Sequence, residues 1–308
     1  MWWTKKAVRL EDVPDENQDL SGKTIVFSGG SDGMGQAAVH KLAAMGASLV
    51  LLGRNERKTQ GVADAVNEAT KAGSVRVLQC DLASQASVRA CASKVLESTP
   101  RIDVLVNCAG ANFDKRAMTE DGIEIVWAVN HLGGFLLTQL ILDRMKESAP
   151  SRIVHLSSAT EAFGHIHLDD ISLEKDWSTF YSYAQAKLAL NMCTRKLAKE
   201  LAGTGVTVNA LNPGWIKTNM AMAMDLSGWK QFFGQCLSTL FAEPVDRGAD
   251  RIITMAIAPQ YEGVTGEFVY EDHVREPNKE ALDDNLVEKV WRLSMQQVAL
   301  EKSLEAAG

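Results

Sequence analysis

The stretch Lys23-Thr24-Ile25-Val26-Phe27-Ser28-Gly29-Gly30-Ser31-Asp32-Gly33-Met34-Gly35 decides the fold. Lys23 to Ser28 is short, β-branched and apolar, so it reads as a buried strand that stops at Gly29. The glycine-rich run follows at once, and a helix is predicted from about Met34 to Ala44 with Gly46 as its stop. Strand, glycine loop, helix is the context that turns a glycine motif into a phosphate-binding argument. The glycines allow a tight turn and close approach of backbone N–H groups to a pyrophosphate. The helix N-terminus favours its negative charge. The spacing is Gly29-x-x-x-Gly33-x-Gly35, which differs from G-x-G-x-x-G.

The same alternation continues outward from this stretch. Further strands are predicted at Ala47–Leu52, Val75–Cys80, Ile102–Val106, Arg152–Leu156, Val206–Leu211 and Glu267–Tyr270. Helices are predicted at about Glu56–Ala72, Ser84–Ser98 with Ser84 as N-cap, Asp121–Lys146, Phe180–Leu201, Val245–Ala258 and, for most of its length, Asn278–Ala306. The strands are apolar on both faces, which is the pattern of a parallel sheet covered on both sides. The expected fold is α/β, a doubly wound parallel sheet of Rossmann type in three αβα layers. Residues 1–21 read as a polar, extended N-terminal arm. Residues 22–308 read as one domain, including an irregular Met-, Trp- and Phe-rich loop at 215–243 and the C-terminal helix.

Composition narrows the classes. The chain has 308 residues, 46% hydrophobic and 23% charged, with a net charge of -7. That balance is ordinary for a globular protein and argues against nucleic acid or an anionic membrane as partner. Cys80, Cys91, Cys108, Cys193 and Cys236 form no Cys-x-x-Cys pair and suit free thiols in a reducing compartment. Met1 to Lys6 carry no long apolar run, so the expectation is a cytoplasmic protein without a transmembrane segment. A homodimer or homotetramer stays open.

Ligands of open parallel sheets bind beyond the carboxyl ends of the strands. The polar and glycine residues predicted there are Ser28 to Gly35, Arg54, Asp81, Asn107 to Gly110, Ser157–Ser158 and Asn212 to Gly214. One helix later, Tyr183 and Lys187 sit at i and i+4, on one helical face. An ammonium close to a phenol favours the phenolate, so Lys187 is expected to lower the Tyr183 pKa and make a general acid/base. His165 and His167 with Asp169 and Asp170 have no further convergent ligands, so no metal is expected.

The whole arrangement resembles the short-chain dehydrogenase/reductase family from about Gly22 to Tyr270. Ser28-Gly-Gly-Ser-Asp-Gly-Met-Gly35 is similar to its Thr-Gly-x-x-x-Gly-x-Gly, and Asn107-Cys-Ala-Gly110 to its Asn-Asn-Ala-Gly. Asn130, Ser158, Tyr183 and Lys187 fall where its catalytic tetrad falls, and Pro213-Gly214 with Thr218 matches its Pro-Gly-x-x-x-Thr. Asn130-His-Leu-Gly-Gly-Phe-Leu-Leu-Thr138, Ala149 to Ser158 and Gly164-His-Ile-His-Leu-Asp-Asp170 resemble the retinol dehydrogenase-like branch. The departures are Ser28 for Thr, Cys108 for the second Asn, and Asp32 where NADP-using relatives often have a basic residue.

The resemblance implies hydride transfer between a nicotinamide and a lipophilic carbonyl or alcohol. Ser158 would bind the substrate oxygen, Tyr183 would move the proton, Lys187 would hold the nicotinamide ribose, and Asn130 would position a water. Arg54 at the end of the second strand, helped by Lys58, suits the 2′-phosphate of NADP(H); NAD(H) remains open through Asp32. Cofactor contacts are expected from Ser28, Gly29, Ser31, Asp32, Gly33, Met34, Gly35, Arg54, Asn55, Lys58, Asp81, Leu82, Asn107, Ala109, Gly110, Tyr183, Lys187, Pro213, Gly214, Ile216 and Thr218. The apolar loop, with Met220, Met222, Met224, Leu226, Trp229, Phe232 and Phe233, would cover a small lipophilic substrate together with Phe163. The alternatives are a reductase of steroid-like or polycyclic ketones and a non-catalytic NADP-binding regulator.

Overall fold

The computed structural model describes residues 7–70, 74–216 and 242–300. Its strands are β1 (Thr24–Ser28), β2 (Ser48–Gly53), β3 (Ser74–Gln79), β4 (Val104–Asn107), β5 (Ser151–Leu156), β6 (Val206–Asn212), β7 (Phe268–Tyr270) and β8 (His273–Arg275). They form one sheet in the order β3-β2-β1-β4-β5-β6-β7-β8. All neighbours are parallel except β7 and β8. The strand order reverses between β1 and β4, and a crevice opens there at the carboxyl ends.

The helices are α1 (Asp15–Gln18), α2 (Gly33–Ala44), α3 (Glu56–Ala69), α4 (Gln85–Ser98), α5 (Ile125–Trp127), α6 (Gly133–Glu147), α7 (Thr179–Glu200), α8 (Val245–Ile257) and α9 (Asp284–Gln297). Alternate residues of each strand feed opposite cores. Ile25, Phe27, Leu49 and Leu51 pack under α2, α3 and α8. Val26, Val50, Leu52 and Leu105 pack with α4, α6, α7 and α9. The result is the expected three-layer, single-domain Rossmann-type fold.

Four elements differ from the sequence reading. The arm is not extended: a 3-10 turn (Leu10–Asp12) and α1 let Val13 and Leu20 bury their side chains in the core beneath α2 and α8. The long helix predicted from Asp121 begins at Ile125, because Glu124 is its N-cap and Met118 bridges Glu124 across a tight turn with Gly122 at φ 72. The C-terminal helix predicted from Asn278 begins at Asp284, because Asp283 is its N-cap and a 3-10 turn, Lys279–Leu282, precedes it. β8 was not foreseen; it is three residues long and exposed, too short for a period-2 signal.

The segment Ile125–Glu147 is long and apolar enough to cross a membrane, but most of it is buried as a core element. Polar groups enter this core. His131 Nε2 lies 2.8 Å from Ser294 Oγ, and His155 Nδ1 lies 2.9 Å from Thr194 Oγ1. Burial pushes the His131 pKa down to about 3 and that of His155 down to about 4, with nearby positive charge adding to both shifts.

These two shifts make the fold acid-sensitive. A histidine depressed in the folded state is protonated first in the unfolded chain, so the unfolded state binds more protons below about pH 6.5. Stability is full above that value and is lost as pH falls towards 4 and 3. Urea unfolding between pH 7.5 and 5 should show a slope approaching about 1.4 kcal/mol per pH unit for each histidine. A pH-independent midpoint over that range would contradict the buried, neutral state.

Candidate functional site

The glycine loop is built by close backbone approach. A Cβ on Gly29 would lie 2.5 Å from the Ala109 nitrogen, and its φ is +82. A Cβ on Gly35 would lie 2.2 Å from the Gly29 carbonyl oxygen. Only glycine lets β1, α2 and the β4 exit meet this tightly. Asp32 caps α2, its Oδ1 accepting from the Gly33 N–H at 2.8 Å. Ser28 Oγ sits between Val106 O and Ala109 N, each at 3.5 Å, so the serine keeps the bridging role open to a hydroxyl.

A groove open to solvent runs along these strand ends. Among the expected cofactor contacts, Ser28, Gly29, Ser31, Asp32, Gly33, Met34, Gly35, Arg54, Asp81, Leu82, Ala109 and Gly110 line it. Asp81 Oδ1 is turned inward to the Ala83 N–H at 3.0 Å. Asn107 stands behind, donating to Thr138 Oγ1 at 2.9 Å, while its buried Oδ1 has no partner among the described residues.

Other expected contacts lie elsewhere. Asn55 caps α3 by accepting from the Lys58 N–H. Lys58 Nζ pairs with Asp32 Oδ2 at 2.6 Å, so its charge is already matched, and Asp32 is held by a cation instead of opposing one. Arg54 is exposed at the groove and makes no ion pair among the described residues. Pro213, Gly214 and Ile216 do not line the groove. Pro213 O accepts from Arg251 Nη1 at 2.7 Å, Gly214 has φ +86, and Ile216 is buried in a bridge to Glu243. Thr218 and the apolar loop residues Met220 to Phe233 lie outside the described residues.

Asn130, Ser158, Tyr183 and Lys187 gather where β4 and β5 end. Asn130 lies in a π-turn, Ala128–Leu132, between α5 and α6. Such a turn leaves carbonyls unpaired and is frequent at functional sites. Asn130 Nδ2 donates to Val126 O at 3.0 Å and Ala111 O at 2.8 Å, and Oδ1 accepts from the Ala111 N–H at 3.1 Å. Gly110 lets this amide and Lys187 draw close: a Cβ there would lie 2.9 Å from Asn130 Oδ1 and 3.7 Å from Lys187 Nζ.

Lys187 Nζ donates to Leu156 O at 2.7 Å and stands 5.5 Å from the Tyr183 ring centroid. Burial lowers the Lys187 pKa to about 8. The expectation that Lys187 depresses Tyr183 is not met. Burial dominates and pushes the phenol up to about 12, opposed by the neighbouring Ser158 hydroxyl. The i,i+4 spacing places the ammonium over the ring, while its hydrogen bond goes to β5. In this arrangement Tyr183 holds its proton and Ser158 is beside it, which is a proton donor next to a hydroxyl.

Several site residues escaped the sequence reading. Ala111 closes the Asn130 amide through its backbone, and Val129 lines the groove. Glu161, buried, accepts from the Asn278 N–H at 3.0 Å, and Asn278 Nδ2 donates to Gly164 O at 2.9 Å, which fixes the turn after Ser158. Ala111 follows the Asn-Cys-Ala-Gly run and was within reach of a motif argument; Asn278 carries no local signal. Among the described residues no cluster of His, Cys, Asp or Glu fits a metal ion, and His165 instead pairs with Glu280.

Similarity to known proteins follows the same lines. Retinol dehydrogenase 14 of Homo sapiens is 35% identical over 297 residues, spanning 92% of this chain and 88% of that protein. Retinol dehydrogenase 13 of Mus musculus is 37% identical over 287 residues, spanning 91% and 85%. Among solved structures, an uncharacterized protein from Mycobacterium paratuberculosis superposes with a TM-score of 0.75 at 29% identity, over 97% of this chain and 100% of that one. A structure described as an NAD(P)-dependent gluconate 5-dehydrogenase from Beutenbergia cavernae with bound NADP gives a TM-score of 0.67 at 26% identity, over 83% and 97%. The short chain dehydrogenase profile matches residues 23–227, a span that takes in the glycine loop, the π-turn and the Tyr183–Lys187 helix, and this chain is a member of that family: an NAD(P)-dependent oxidoreductase of alcohols and carbonyls.

Proposed function

We propose that the chain interconverts a bulky, apolar alcohol and its carbonyl with NADP(H), using Asn130, Ser158, Tyr183 and Lys187. The observation that carries this is the meeting of a protonated, buried Tyr183, Ser158 and a buried Lys187 beside a glycine-cradled groove. The groove residues fit a dinucleotide: glycines where a Cβ would collide, a helix N-terminus, and an unpartnered Asn107 oxygen behind. A nicotinamide dinucleotide bound there supplies or accepts the hydride. In the reducing direction Ser158 donates a hydrogen bond to the substrate oxygen as negative charge develops on it, and Tyr183 delivers its proton to that oxygen. Lys187, held by Leu156 O, places its ammonium over the phenol ring, facing the charge that forms as the proton leaves. Asn130 fixes the π-turn against Ala111 and so sets the wall facing Lys187.

Arg54 supports the NADP(H) preference. β2 ends without a carboxylate, and the exposed guanidinium at the groove is matched to a phosphate. Asp32 does not argue against it, because Lys58 neutralises it.

For the substrate, the support is exposed apolar side chains close in sequence to the site residues. Phe163 is 67% exposed, Tyr181 60% and Trp215 48%. They flank Ser158, Tyr183 and Pro213 in sequence, and Phe163 packs on Phe180 at 5.8 Å. The relatives named retinol dehydrogenases support an apolar, retinoid-like class over a sugar. The free thiols Cys80, Cys91, Cys108 and Cys193 fit a cytoplasmic setting.

Two measurements test the reading. NADPH oxidation by a panel of retinoid, steroid-like and short polar carbonyls should be fastest with the apolar set; Tyr183→Phe should reduce it by about 100-fold or more with NADPH affinity retained. Full turnover by that variant would remove the assignment. Separately, Arg54→Glu should raise the NADPH KM by about tenfold or more and spare NADH, the loss expected for one charge-assisted phosphate contact. A wild-type preference for NADH would refute the cofactor assignment.

A further inference from the structure

Glu124 is a buried carboxyl that the chemistry above does not use. It is 1% exposed, in a core where an unpaired carboxylate would be costly. Three donors converge on it. Oε2 accepts from the Trp127 N–H at 2.9 Å and from Ser182 Oγ at 2.9 Å; Oε1 accepts from Trp177 Nε1 at 3.1 Å. These donors belong to three segments. Trp127 ends α5 and leads into the π-turn with Asn130. Ser182 lies on α7 directly before Tyr183. Trp177 belongs to the loop that enters α7.

The geometry points to Glu124 as a positioning residue that sets the Asn130 turn against the Tyr183 helix. A cap for the three-residue α5 needs only one acceptor, and a short side chain at the surface would serve. Glu124 instead reaches across to α7 and shares one oxygen between the two elements. Asn130 and Tyr183 are 53 residues apart in sequence, so chain connectivity alone does not fix their mutual placement. On the far side, Asn130 closes on Ala111 beside Gly110 and Lys187, so a shift at Trp127 passes to the wall that faces the ammonium. Misplacement of a reacting group by about 1 Å costs up to about 100-fold in rate.

Glu124→Gln is the informative change. The Trp127 N–H and the Trp177 indole N–H can only donate, and an amide has one acceptor oxygen, so one of them must face an amide nitrogen. Ser182→Ala removes a single arm of the same contact. This inference rests on Tyr183 acting as the proton donor proposed above. In the full chain, kcat should fall by about 10- to 100-fold in Glu124→Gln and by less in Ser182→Ala, with NADPH affinity held within about twofold. The double variant should be no worse than Glu124→Gln, since both act through one contact. Full kcat in both single variants, or multiplicative losses in the double, would overturn it. If Glu124→Gln does not fold, Ser182→Ala decides alone by its split between kcat and NADPH affinity. If the wild type turns over no carbonyl, the functional reading has failed, and hydrogen exchange decides the clamp. Faster exchange in Ser182→Ala at both Trp127–Leu132 and Tyr183–Lys187 supports it, and unchanged exchange at either segment rejects it.

Discussion

The contact on which the structure depends is the backbone crossing at Gly29, Gly35 and Ala109. A side chain at Gly29 or Gly35 would collide with backbone, and backbone cannot yield as a flexible side chain can. This crossing brings the β1 exit, the α2 N-terminus and the β4 exit within one van der Waals layer. The groove exists because these three ends are held together at the point where the strand order reverses. Asp32 then caps the helix and pairs with Lys58, so α2 and α3 are tied at the same edge.

Burial sets the electrostatics at the neighbouring edge. Tyr183 is driven up to about 12 and Lys187 down to about 8, each by loss of water. Both shifts favour neutral forms and drive the two groups apart in proton affinity, although free tyrosine and lysine side chains titrate within about one unit of each other. The ammonium meets a carbonyl at Leu156 and the phenol meets a hydroxyl at Ser158, so neither is a bare buried group. Charge arriving on a substrate oxygen would therefore enter a region with little water to screen it, where a single fixed dipole has a large effect.

The fold was legible because its signals are local. Apolar strands between helices, and glycines at one strand end, are patterns of fewer than fifteen residues. The motif residues of the groove shared that advantage; most of Ser28 to Gly35 and Ala109–Gly110 line it. Asn55, Lys58 and Ile216 do not line the groove, for one reason. Their spacing from a strand end is suitable, but a helix cap, an ion pair and a buried bridge claimed them first. The Tyr183 shift was misread because i,i+4 spacing gives proximity and not burial, and burial has the opposite sign.

What could not be read locally is the bracing from the C-terminal segment. Asn278 holds the turn after Ser158, Ser294 reaches His131 next to Asn130, and Gln297 accepts from the Trp127 indole at 2.9 Å. All three lie beyond residue 227, where the family profile ends. None has a motif, since each is an ordinary polar residue whose partner is more than 100 positions away. Their partners Glu161, His131 and Trp127 are buried, where an unsatisfied polar group costs stability, so each contact also ties its two segments into one cooperative unit. The motifs supply the groups proposed to react, and the late segment holds the turns that carry them.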